Sequence, residues 1–298
     1  MSREKVCGRK QRTLFQEAWM RFKNNKLAIC GMTVIGLLLA VSVVTIAVDI
    51  TDGRSFYNTY VIKQDLLNKL KAPDSKHIFG CDEYGRDLFY RVLWATRYSL
   101  FAGVVTIAIA IAVGGFFGSI AGFYGKKVDN AIMRFMDVLM AVPSMVLAMA
   151  IVAALGASLQ NLLIAIAIPQ IPQFARIARS SVMSVRDSEF VEAARAVGAG
   201  DSLIIAGYII PNALSPVIVQ GTLGVANTIL SIAGLSFLGL GIQPPTPEWG
   251  SILSSARIYM RDAWHISVIP GLAIMLCILS LNLLGDGLRD ALDPKLKK

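Results

Sequence analysis

Six stretches of the chain stay apolar for about the 20 residues that an α-helix needs to cross the hydrocarbon core of a bilayer. They run Leu27–Val48, Tyr98–Tyr124, Ala131–Leu155, Leu159–Ala178, Ala213–Ile242 and Ala263–Leu284, with polar and charged segments between them. The pattern predicts an all-α integral membrane protein with six transmembrane helices. The first stretch is longer than the apolar region of a cleaved signal, and no small-x-small cleavage site follows it, so it is expected to remain as a span.

Composition agrees with this reading. Of 298 residues, 55% are hydrophobic and only 16% charged, whereas about a quarter of a soluble domain is charged. The net charge of +9 suggests either nucleic acid or a membrane surface as partner, and its placement decides between them. No aromatic residues interleave with a basic stripe, so nucleic acid is not expected. The bases gather before the first span (Arg3, Lys5, Arg9, Lys10, Arg12, Arg21, Lys23, Lys26), after the second (Lys126, Lys127, Arg134), after the fourth (Arg179, Arg186, Arg195) and after the last (Arg289, Lys295, Lys297, Lys298). Alternating spans bring all of these to one side, and an excess of Lys and Arg marks the cytoplasmic side. Both termini are therefore expected in the cytoplasm. The organisation that follows is a basic tail (1–26), a first helix (27–48), an extracytoplasmic loop (49–97), a core of five helices (98–288) with a cytoplasmic loop at 179–212, and a short tail (289–298).

Cys7, Cys30, Cys81 and Cys277 form no CxxC pair, and His77 and His265 are the only histidines, so neither a metal site nor a disulfide framework is indicated. Gly114, Gly118 and Gly122 recur every fourth residue on the second span, and Gly234, Leu238 and Gly241 make a weaker stripe on the fifth. Such stripes allow close helix approach, either inside one chain or across a dimer. Pro143, Pro169, Pro172, Pro216 and Pro270 lie in or at the ends of spans, where each is expected to remove a helix hydrogen bond. Arg134 with Asp137, and Asp286 with Arg289, stand at i, i+3 spacing and are expected to pair. No charge falls clearly at mid-span. The polar residues at depth are neutral: Gln170, Gln173, Gln220, Thr222, Asn227, Thr228 and Asn282. They fit a hydrated route, with Gln220, Thr222 and Asn227 as its candidate lining, or equally a set of interhelical hydrogen bonds.

The segment "EFVEAARAVGAGD" (189–201) stands apart. Ser188 is placed to cap a helix at Glu189, alanines favour that helix, and Gly198 and Gly200 stop it. Asp201 or Ser202 is placed to cap a second, apolar helix, Leu203–Ile210, ending at Pro211. A capped helix with a shallow alanine and glycine surface, rimmed by Glu192 and Arg195, suits a protein partner. Glu192-Ala193-Ala194, Gly198 and Ile209-Ile210-Pro211 resemble the EAA loop of ABC-importer permeases, with Ile210 where the family usually has Leu. The stretches at 77–100, 137–151, 234–250 and 282–294 are similar to the dipeptide/oligopeptide/nickel permeases, the DppC/OppC group, with Cys81 where that group commonly has Thr.

This resemblance implies a type I ABC-importer permease fold in a bacterial or archaeal cytoplasmic membrane. It implies a heterodimer with a homologous permease, two ATP-binding subunits and an extracytoplasmic solute-binding protein. Glu189, Glu192, Ala193, Ala194, Arg195, Gly198 and Pro211 are then the residues that couple to the ATP-binding subunit. The solute is expected to be a peptide or, alternatively, a nickel chelate. No GxxxxGK[ST] phosphate loop is present, so ATP hydrolysis is expected on partner subunits and no cofactor is expected here. Two other classes compete. A membrane serine protease would pair Ser236 of "GLSF" with His265, although Phe237 replaces the usual glycine. A secondary transporter would need mid-membrane charge or an internal repeat, and the sequence offers neither.

Overall fold

The computed structural model describes residues 14–292. Cys7, the basic residues Arg3, Lys5, Arg9, Lys10 and Arg12, and Pro294, Lys295, Lys297 and Lys298 lie outside the described residues. Helices α1 (Leu14–Asn24) and α2 (Lys26–Thr51) meet at Asn25, whose side chain accepts from the N–H groups of Leu27 and Ala28 and starts the first long apolar helix. An extended segment with single π and 3₁₀ turns leads to α3 (Leu88–Tyr124). Asp87 caps α3 by accepting from Phe89 and Tyr90, so this helix begins ten residues before the expected Tyr98. Then come α4 (Lys126–Met140), α5 (Ser144–Leu155), α6 (Leu159–Arg186), α7 (Glu189–Ala196), a single turn α8 (Asp201–Leu203), α9 (Ile210–Phe237), α10 (Trp249–Ala256) and α11 (Trp264–Leu292).

Among the described residues, five helical segments are long and apolar enough to cross a membrane: Lys26–Thr51, Leu88–Tyr124, Leu159–Arg186, Asp201–Phe237 and Trp264–Leu292. The expected third span is not one helix. It divides into α4 and α5, which meet at 81°. Pro143 supplies the break, because it lacks an N–H and clashes with the carbonyl a turn earlier. The structure therefore has six spans only if this bent pair counts as one.

α3 and α6 form the centre of the bundle. A Cβ on Gly114 would lie 2.6 Å from the carbonyl oxygen of Ile171, and one on Gly122 2.7 Å from that of Arg179. A Cβ on Gly118 would meet the Ala175 carbonyl. The small-residue stripe is thus the seat of α6 within one chain, which answers the choice between internal packing and a dimer face. The weaker stripe does not hold, because Gly241 lies past the end of α9 and folds back against Ser236. Around this centre pack α9, α10 and α11, joined by Phe174, Val225, Ile229, Trp249, Ile252 and Cys277.

Two expected ion pairs differ from the structure. Asp137 pairs with Arg176 of α6 at 2.5 Å rather than with Arg134 of its own helix, because α4 turns Asp129 and Asp137 toward α6. Asp286 and Arg289 form no ion pair among the described residues. The region at 243–262, between the last two long helices, contains α10. Glu248 starts that helix by accepting from Gly250 and Ser251 at 2.7 Å each.

Candidate functional site

The 189–201 segment folds as the short helix α7, and its two faces have opposite fates. Val191 and Ala194 are buried in a cluster with Phe123 of α3, Val182 of α6, and Ile204, Ile209 and Ala213 at the start of the long segment Asp201–Phe237. Glu189, Glu192, Ala193, Arg195, Ala196, Val197 and Gly198 are exposed. The sequence-based expectation that Ala193 and Ala194 face a partner together therefore needs correction. They stand 100° apart on a helix, so Ala193 points outward while Ala194 is packed inside this chain.

The capping also differs in detail. Ser188 occupies the N-cap with extended backbone, but its hydroxyl donates to the carbonyl of Val185 instead of accepting from α7. The N-cap of α8 is Gly200, with Asp201 in the first turn and neither Asp201 nor Ser202 as the cap. Gly198 has φ +86°, the left-handed geometry that ends the helix, and a Cβ there would meet nothing within 4 Å. The expected helix ending at Pro211 does not end. It passes through a π turn (Ile204–Ile209) into α9, with Pro211 in the first turn of α9, where a missing N–H is tolerated. Asn212 Nδ2 donates to the carbonyl of Tyr208 at 2.7 Å, which satisfies an acceptor in the turn that the proline disrupts.

Two arginines tie this segment to the bundle, and both ties escape sequence reading. Arg186 Nη1 donates to the carbonyl of Gly122 at 3.0 Å, closing the exposed end of α3. Its Nε also donates to Asp187, holding that carboxyl below its ordinary range. Arg195 lies over the ring of Phe123, 5.4 Å from the centroid. The sequence signal available was only that Arg186 precedes α7 and Arg195 stands in its last turn. Their targets lie more than 60 residues away along the chain.

The candidate route residues separate. Gln220 and Asn227 are seven apart on α9 and share a face, whereas Thr222 is rotated about 200° from Gln220. Thr222 donates to the carbonyl of Ile218 on its own helix. Asn227 is exposed and Gln220 half-buried. Gln170 Nε2 donates to Thr228 at 2.7 Å, an interhelical hydrogen bond between α6 and α9. Only Gln220 and Asn227 therefore keep the geometry of a lining. The serine protease arrangement is not formed: Ser236 is buried with no hydrogen bond to His265, whose Nε2 faces the carbonyl of Cys81 at 3.3 Å.

Comparisons with known proteins agree over nearly the whole length. Residues 114–298 match the family described as binding-protein-dependent transport system inner membrane component, and residues 13–73 match the N-terminal TM domain of oligopeptide transport permease C. The dipeptide transport system permease protein DppC of Alkalihalophilus pseudofirmus is 45% identical, over 95% of this chain and 90% of its own length. The glutathione transport system permease protein GsiD of Escherichia coli is 43% identical, over 96% of this chain and 92% of its own. The di/tripeptide permease DppC of Pseudomonas aeruginosa is 41% identical, over 95% of this chain and 92% of its own. Among solved structures, the inward-facing MetNI methionine ABC transporter shares the fold at TM-score 0.53 and 17% identity, over 68% of this chain and 95% of the matched chain. The chain belongs to the binding-protein-dependent transport system inner membrane components, as a multi-pass permease subunit of the DppC/OppC type.

Proposed function

We propose that this chain forms half of the membrane pathway of an ATP-driven importer for short peptides, opposite a homologous permease. Two ATP-binding subunits supply the energy on the face that carries α7, and an extracytoplasmic binding protein delivers the peptide. Both termini lie on the α7 side, in the cytoplasm. The relatives' names support peptides over nickel chelates as cargo.

The observation that carries the reading is the division of α7. Its inner face is fastened to α3, α6 and the start of α9, while Glu192, Ala193, Val197 and Gly198 lie open. A protein that pushes or pulls on the open face moves the ends of three helices with it. Gln220 and Asn227 then face the peptide route, and Glu189, Glu192, Ala193, Arg195 and Gly198 line the docking surface. Ala194 and Pro211 act from within, by packing and by shaping the turn into α9. The test is uptake of a labelled dipeptide into proteoliposomes holding the chain with its co-expressed partner subunits. ATP-dependent uptake supports the reading. Uptake that follows an ion gradient without ATP would overturn it.

A further inference from the structure

Helix α4 has three longitudinal sectors. At 100° per residue, Ile132, Met136 and Leu139 face the bundle, and Met136 is only 1% exposed. A second sector holds Val128, Phe135 and Val138, of which Phe135 is 62% and Val138 67% exposed. Lys126, Lys127 and Arg134 spread over the third, which Asp137 shares, and all three cations are exposed. The acids of α4 are spoken for, since Asp129 bonds Arg179 and Asp137 bonds Arg176. Lys126, Lys127 and Arg134 make no ion pair among the described residues. One side of the helix therefore carries three cations without ion pairs, beside exposed apolar side chains.

The position of α4 says what covers these side chains. Asp129 and Asp137 are about 12 Å apart along α4, but their partners Arg179 and Arg176 are only about 4.5 Å apart along α6. So α4 lies across α6 rather than beside it, in keeping with its 81° angle to α5. Counting from Leu159, where α6 starts, Arg176 and Arg179 lie about 26–30 Å along the helix. That distance is the hydrocarbon thickness of a bilayer, about 30 Å. The crossing thus sits where the hydrocarbon gives way to headgroups, on the side of α7. A slanted helix at that depth, with cations on one side and Phe and Val beside them, has the make-up of an interfacial helix.

Resting on the reading of the chain as a membrane permease, we propose that α4 is a lipid-binding element. Lys126, Lys127 and Arg134 hold anionic phospholipid headgroups of the leaflet on α7's side, and Val128, Phe135 and Val138 enter the adjoining acyl layer. The lipid composition of that leaflet then bears on the bent pair α4 and α5, the one broken crossing of the described structure.

The full chain, assembled with its partner subunits in nanodiscs of mixed phosphatidylglycerol and phosphatidylcholine, carries Phe135→benzoylphenylalanine for photocrosslinking. A lipid adduct at 135 is expected. A crosslink to a partner subunit, or none to lipid, would overturn the proposal. In a second measurement, native mass spectrometry counts the phosphatidylglycerol retained relative to phosphatidylcholine. Each near-surface cation contributes about fivefold, so K126E/K127E/R134E, which removes and reverses three of them, should lose more than about a hundredfold of that preference, and K126R/K127R/R134K should keep it. An unchanged preference in the charge-reversed chain would also overturn the proposal. Peptide-stimulated ATP hydrolysis on the same samples separates the two readings. Hydrolysis with a protein crosslink at 135 removes the lipid site and leaves the transport function standing, whereas a lipid adduct without hydrolysis does the reverse.

Discussion

The guanidinium of Arg195 stands over the ring of Phe123, 5.4 Å from its centroid, and so joins the exposed edge of α7 to the end of α3. A cation–π contact at an exposed site contributes about 0.5–1 kcal/mol. It is too weak to hold the fold, but it sits between the proposed docking face and the end of α3. Arg195→Ala is expected to leave the amount of assembled complex unchanged and to lower peptide uptake per ATP hydrolysed about two- to fivefold. Arg195→Lys should recover part of the loss. The measurement is the ratio of uptake to hydrolysis in proteoliposomes, and an unchanged ratio would remove Arg195 from the coupling path.

Adjacent alanines should respond differently. Ala194 is packed against Phe123 and Val182 within the chain, so Ala194→Trp overfills a core and is expected to cost about 1–3 kcal/mol. It should lower the thermal stability of the purified chain in detergent even with no partner present. Ala193→Trp should leave that stability unaltered and affect only association. Equal destabilisation by both would contradict the division of α7 into an inner and an outer face.

Gly198 offers a separate check of geometry against bulk. Its φ of +86° disfavours any side chain, but no atom of this chain stands within 4 Å of a Cβ. In the isolated chain Gly198→Ala and Gly198→Leu should therefore cost nearly the same, about 1–2 kcal/mol. Co-purification of the ATP-binding subunits should suffer much more from Leu than from Ala. Equal loss of co-purification would mean that no partner surface closes over Gly198.

Glu248 makes stability depend on pH. Its carboxylate is buried, and desolvation pushes its pKa above the ordinary 4.5, only partly opposed by the N–H groups of Gly250 and Ser251 and by the Ser99 hydroxyl. The folded chain thus holds this proton more tightly than the unfolded chain. The resulting stabilisation is complete below pH 4.5 and is lost as pH rises through the folded value. Glu248→Gln should flatten this part of the stability curve. Glu248→Ala should in addition lose the cap of α10, about 1 kcal/mol. The readout is melting temperature in detergent against pH, and an identical curve for Glu248→Gln would show that Glu248 is not the titrating group.

Much of this molecule is legible in its sequence because membrane helices announce themselves by apolar length alone. The starts of α2 and α6 fall within a residue of expectation, since Asn25 and Ser158 cap them. The third span failed for a physical reason. Residues 126–140 alternate in the manner of an amphipathic helix and are not uniformly apolar, so Pro143 divides two helices of different character rather than kinking one. The location of α7 was readable from its alanines and glycines. The direction each residue faces was not, because burial of Val191 and Ala194 depends on Phe123 and Val182, which no local pattern brings near. The Asp137 pairing went astray in the same way. The i, i+3 rule describes an isolated helix, and α6 offers Arg176 across the crossing. Gln220 and Asn227 survived as candidate lining because helical spacing alone puts them on one face, which the same spacing denies to Thr222.

In the proposed mechanism an ATP-binding subunit docks on the open face of α7 and drives transport through it. That docking is tested most directly by ATP hydrolysis in proteoliposomes containing the assembled transporter, stimulated by peptide-loaded binding protein, for the unmodified chain and for Ala193→Trp. A clash of about 1–3 kcal/mol at the docking surface weakens association roughly five- to 150-fold, since 1.4 kcal/mol is tenfold. The account predicts stimulated hydrolysis and peptide uptake for the unmodified chain. For Ala193→Trp it predicts loss of both, with the partner permease still bound. Full stimulation and full uptake with tryptophan at position 193 would contradict it.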